Sequence, residues 1–107
     1  MTRRKPYELI YDPEVRKQVS RIERKYHSLI RRQIGRQLRF EPEVETRNRK
    51  PILRPSVFGS AWELRFGPDN RFRVFYRTNR GVRQVYILAV GEKIKDRLFV
   101  GGEEFEL

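Results

Sequence analysis

Asn70 to Arg77 reads NRFRVFYR. Arg71, Arg73, Phe75 and Arg77 share one parity, and Phe72, Val74 and Tyr76 share the other. Successive side chains of a strand point to opposite faces, so the stretch predicts a strand with one arginine-rich and one apolar face. The preceding stretch AWELRF (61–66) repeats the pattern, Trp62, Leu64 and Phe66 alternating with Glu63 and Arg65. GPDN (67–70) between them is a turn by residue type. The two strands therefore need an apolar layer under Trp62, Leu64, Phe66, Phe72, Val74 and Tyr76. The opposite surface, with Glu63, Arg65, Arg71, Arg73, Phe75 and Arg77, is expected to lie open.

The cover comes from upstream. YELIYD (7–12) reads as a first strand, and Asp12-Pro13 as a helix start, with Asp as N-cap and Pro at the first helical position. Val15, Val19, Ile22 and Tyr26 form a helical apolar stripe. YHS (26–28) breaks it, and Ser28 is expected to cap a second helix with the stripe Leu29 or Ile30, Ile34 and Leu38. That helix should end before Pro42. From Glu43 to Ser60 the period disappears, leaving a basic loop with Pro51, Pro55, Arg47, Arg49, Lys50 and Arg54. After the turn TNRG (78–81), VRQVYILAV (82–90) is apolar on both parities, as in a central strand. Residues 91–107 read equally as a short helix or an extended arm. The order β-α-α-β-β-β predicts one α+β domain over residues 1–107, a helical hairpin packed on one face of a mostly antiparallel sheet.

Charge narrows the function. The chain has 107 residues, with Lys plus Arg 25 against 14 acidic residues, a net charge of +11. Nineteen of the 25 are arginine, whose planar fork grips phosphate through two parallel hydrogen bonds. Between Thr46 and Arg83 ten basic residues face two acidic ones, Glu63 and Asp69. Like charges gathered on one sheet face oppose folding, and a bound anion would relieve that. A polyanion, an acidic protein or both are the implied ligands. The absence of cysteine excludes disulfides, a thiolate metal site and a cysteine nucleophile, and suits a reducing cytoplasm. No apolar run approaches a membrane span, and MTRRKPYELIY has no signal-peptide core.

Other residues carry less. His27, the single histidine, sits at the helix junction and reads as structural. Gly91 in VGEK would deliver Glu92 and Lys93 to the rim of the open face, or simply form a turn. Gly101-Gly102 is no phosphate loop. Phe75 and Phe99 are candidates to stack on bases, although Phe99 could instead pin the C-terminal arm. The acidic tail over residues 100–107 is expected to be solvated and frayed.

WELRFGPDNRFRVFY (62–76) followed by VYILAVGEK (85–93), after two helices and a basic loop, resembles the RelE/ParE superfamily of bacterial type II toxins. The resemblance covers YELIYD to about Phe99. It implies a small toxin neutralised by an acidic antitoxin. In the RelE-like branch it implies an mRNA interferase acting on the ribosome, without metal or other cofactor. Arg73 then matches the strand arginine used on the scissile phosphate, and Glu63, Arg65 and Lys93 fall at charged catalytic positions. Arg47, Arg49, Lys50, Arg54, Arg71, Arg77 and Phe99 are the corresponding RNA-binding candidates. The alternative is the ParE-like branch, whose members inhibit DNA gyrase without nuclease chemistry. Cleavage by 2′-OH attack needs a base, a stabilised phosphorane and a protonated leaving oxygen. Arginine supplies only the second, because guanidinium stays protonated. Glu63, Glu92, Lys93 or a ribosomal group must supply the rest.

Overall fold

The structure is a computed structural model that describes residues 5–54 and 56–106, so Pro55 and the last residue of the expected tail lie outside it. Strand β1 (Glu8–Tyr11) leads into helix α1 (Glu14–Ser20), a 3-10 turn (Arg24–Tyr26) and helix α2 (His27–Leu38). Six strands follow: β2 (Arg49–Pro51), β3 (Trp62–Phe66), β4 (Phe72–Asn79), β5 (Gln84–Ile94), β6 (Arg97–Val100) and β7 (Glu103–Phe105). They form one sheet in the order β2-β3-β4-β5-β6-β7, antiparallel throughout, with β1 added parallel to β5. This is the anticipated α+β architecture with three strands more than the sequence reading supplied.

The local reasons are readable. Asp12 Oδ1 accepts the Glu14 N–H at 2.9 Å, but the N-cap of α1 is Pro13 rather than the expected Asp12. Ser28 does not cap α2. The 3-10 turn feeds straight into the helix at His27, so Ser28 lies within its first turn. His27 has the structural role, its Nε2 2.8 Å from the Ile22 carbonyl oxygen. Ile30, Ile34 and Leu38 of α2, with Val15 and Ile22, bury against Leu64, Phe66, Phe72, Val74 and Tyr76. Trp62 is only partly buried, its ring 6.2 Å from that of Tyr76. The parity assigned to β3 and β4 therefore holds on the helical side.

The opposite face is not open along its length. Phe75, Ala89, Leu98 and Val100 form a second apolar cluster, joined by Ile52 and Phe58 from the loop and by Phe105 from β7. Two features build it. Between Phe75 and Tyr76 the β4–β5 register slips, Phe75 facing Ala89 while Tyr76 faces Ile87, which leaves Leu88 unpaired. The slip lets β5 put Val85 and Ile87 on the helical side and then Ala89 and Gly91 on the other. The second feature is the hairpin β6–β7, closed by Gly101 and Gly102 at φ 62° and 82°. A two-residue turn with both φ positive matches strand twist, and glycine takes it without strain. The tail expected to fray over residues 100–107 is instead paired as an edge strand over Glu103–Phe105, with Glu103 and Glu104 still exposed. Among the described residues no helix is long and apolar enough to cross a membrane.

Candidate functional site

The antiparallel register of β3 and β4 sets Arg65 directly opposite Arg73. Two guanidinium groups so placed repel, and Glu63, on the same face one pleat away, is what holds them together. Its Oε1 accepts from Arg73 Nη1 at 2.5 Å and its Oε2 from Arg65 Nη2 at 3.3 Å. Arg73 Nε donates to the Asn70 carbonyl at 3.1 Å. In the turn that presents this carbonyl, Asp69 and Asn70 take left-handed φ of 54° and 53°. Arg73 is 6 % exposed, so the sheet does not display a row of solvated arginines as the alternation alone suggested. A buried guanidinium is tolerated because its charge is paired with Glu63 and its Nε is satisfied by the Asn70 carbonyl.

Enough donors remain to hold a ligand. Arg73 Nη2 and Arg65 Nη1 have no partner among the described residues, and Arg65 Nε is buried without one. Arg65 and Arg73 line a cleft of about 660 Å³ together with Glu63, Phe75 and Lys93 of the sheet. Arg54, Leu53 and Val57 line it from the loop, and Phe105 and Glu106 from the C-terminal strand. The cleft has a charged floor and an apolar wall. Leu53 and Val57 are among the most exposed apolar side chains of the chain, at 92 % and 77 %. Lys93 forms no ion pair among the described residues. That combination suits an anion carrying a flat or apolar group, with the phosphate on the guanidiniums.

The candidates named from the sequence divide accordingly. Glu63, Arg65, Arg73, Lys93 and Arg54 come together at the cleft. Lys50 is in register with Glu63 at its margin, with Nζ 3.7 Å from Glu45. Arg49 goes to the helical side. It is buried, donating from Nη1 to the Gln37 carbonyl at 2.7 Å and from Nε to the Val44 carbonyl at 2.9 Å, and so ties β2 to α2. Arg71 also leaves the arginine face, because it precedes β4 and its guanidinium lies 5.0 Å from the Tyr26 ring centre. It donates to Glu92 at 2.9 Å, which pushes its pKa up and takes Glu92 away from the cleft. Arg47 stands exposed in the loop before β2. Arg77 is exposed over the Tyr86 ring at 5.0 Å, beyond the register slip. Phe99 points the other way, into a small recess of about 180 Å³ against Gln18, Arg21 and Ile22 of the helical layer. The C-terminal aromatic at the cleft is Phe105, 5.1 Å from Phe58. Its signal was the Gly-Gly pair, which marks a two-residue hairpin and so returns the chain alongside β6. Among the described residues no cluster of His, Asp or Glu gathers that could hold a metal ion.

No family model and no curated protein matches the chain. Among solved structures, the chain is similar to that of the toxin-antitoxin complex RelBE2 from Mycobacterium tuberculosis. The match is 21 % identical with a TM-score of 0.62, and covers 82 % of this chain and 99 % of that one. An identity this low speaks for backbone architecture, and the two helices on a mostly antiparallel sheet agree with it. The chain has a RelE-like fold.

Proposed function

We propose that this protein is the toxin of a bacterial type II toxin-antitoxin system, and that it cleaves mRNA on the ribosome and thereby inhibits translation. The observation carrying the reading is the Arg65–Glu63–Arg73 arrangement, two guanidiniums fixed on one carboxylate with N–H groups to spare in a cleft. The fold match to a toxin-antitoxin complex supports the toxin role and an antitoxin as partner, and the net charge of +11 calls for that partner to be acidic. Ribosome and mRNA are the further partners, and the cytoplasm is the place of action.

The chemistry follows from the geometry. A scissile phosphate on Arg73 Nη2 and Arg65 Nη1 meets donors already oriented, so charge building on the phosphorane is stabilised without reorganisation. Glu63 spends both oxygens on arginines, which makes it the positioning group for the pair. Lys93, without an ion-pair partner among the described residues, is the available acid for the leaving 5′-oxygen. The apolar wall of Leu53, Val57 and Phe105 takes an adjoining base. Removal of the 2′-OH proton falls to the ribosomal site or solvent. Positioning therefore dominates.

Induction in a bacterium with transcript 5′-end mapping tests this. New ends within translated frames are expected, and Arg73→Ala should abolish both the ends and growth arrest while antitoxin binding persists. Growth arrest that survives Arg73→Ala overturns the phosphate role. Intact messages with double-strand DNA breaks would overturn the nuclease reading in favour of gyrase inhibition.

A further inference from the structure

The cleft accounts for only part of the charge. From Arg16 to Arg39, nine basic residues stand against one acidic residue, Glu23, and this segment builds the helical layer on the far side of the sheet. Lys25 is offset by Glu23 at 3.7 Å and Lys17 by Glu14 at 3.8 Å. Arg31, Arg32, Arg36 and Arg39, on α2 and its C-cap, are exposed and form no ion pair among the described residues.

Helical spacing puts these four on one outward stripe with Ser28 and Gly35, since Ile30, Ile34 and Leu38 are turned into the core. Ser28 and Gly35 are small, so nothing bulky holds a flat polyanion away from the guanidiniums. From Arg31 to Arg39 the helix rises about 12 Å, the run of roughly three phosphates along one strand of a duplex. The stripe has no apolar side chain. Stable membrane insertion needs apolar anchors along the polar face, and the stripe itself supplies none. Single strands are gripped by stacking on aromatics, and the stripe itself holds none: the exposed Tyr11 and Phe40 belong to β1 and to the residue after the C-cap of α2.

We propose that this arginine stripe is a second phosphate-binding site, which holds the backbone of duplex nucleic acid independently of sequence and of the cleft. It faces away from the cleft, so both can be occupied at once. The site goes beyond the cleavage reading and does not depend on it.

Fluorescence anisotropy on the full chain tests it, using a labelled RNA duplex, the DNA duplex of the same sequence, one of its single strands, polyglutamate and anionic phospholipid vesicles. The variant replaces Arg31, Arg32, Arg36 and Arg39 by Gln, which keeps helix propensity, and thermal unfolding confirms that it folds. Duplex affinity should fall at least about tenfold, and the slope of log affinity against log salt should flatten by about three to four units. Arg80→Gln with Arg97→Gln, two exposed arginines outside both the stripe and the cleft, should lower duplex affinity far less. Equal binding of both duplexes supports a backbone site indifferent to helix form, and a preference for RNA supports one tuned to A-form. Unchanged duplex affinity in the fourfold variant overturns the proposal. So does tighter binding of the single strand, polyglutamate or vesicles.

Discussion

Glu63 contributes one negative charge to a sheet face that otherwise carries arginine, and it touches both members of the central pair. With a side chain 12 % exposed beside one 7 % exposed, its contact with Arg73 is a buried ion pair. Removing one partner of such a pair strands the other charge. Glu63→Ala should therefore lower stability by about 3 kcal/mol, measured by urea unfolding. Added phosphate should restore more stability to this variant than to the parent, because an anion takes the vacated place between the guanidiniums. Equal stabilisation of both proteins would count against the anion cradle. The pairing itself was legible, since parity and a short turn put Arg65 and Arg73 in register. The burial of Arg73 was not, because alternation gives a face but not what covers it.

At the scale of elements, the cleft depends on how β6 meets β5. A Cβ on Gly91 would lie 2.5 Å from the Phe99 carbonyl oxygen and 2.7 Å from Val100 Cγ2. One of these is backbone, so no rotamer change relieves it. Gly91→Ala should cost about 2 kcal/mol by overpacking and push the β6–β7 hairpin outward. Urea unfolding gives the loss, and hydrogen exchange at Leu98 and Val100 locates it; exchange no faster than in the parent would show that the hairpin stays docked. Elements with a clear period were the ones the sequence revealed. β3 and β4 alternate charge with hydrophobe, and α2 repeats Ile30, Ile34 and Leu38. The register slip at Leu88 left no mark in VYILAV, because a strand apolar on both faces reads the same before and after the shift. β2 has three residues, too few for any period, and its Arg49 was assigned to a ligand when its partners were Gln37 and Val44.

For the molecule as a whole, Tyr76 connects the sheet to the loop after α2. It is fully buried, and its hydroxyl donates to the Pro42 carbonyl at 2.6 Å. Burial raises its pKa well above the ordinary 10.0. The folded state keeps the proton where the unfolded chain releases it. That stabilisation is complete below the unfolded value and is lost as the pH climbs through the folded one. Tyr76→Phe should lower stability by about 1 kcal/mol at neutral pH, since the Pro42 carbonyl loses its donor. It should also flatten the loss of stability between about pH 9 and pH 11 relative to the parent, read by urea unfolding at each pH. Parallel curves would mean that another group sets the alkaline limit.

Chain order gives the C-terminal wall a further consequence. Synthesis releases Arg65 and Arg73 from the exit tunnel before Leu98, Phe105 and Glu106, which complete the cleft around them. The arginine pair therefore receives its apolar wall last, when the C-terminal hairpin docks against a sheet that is already paired.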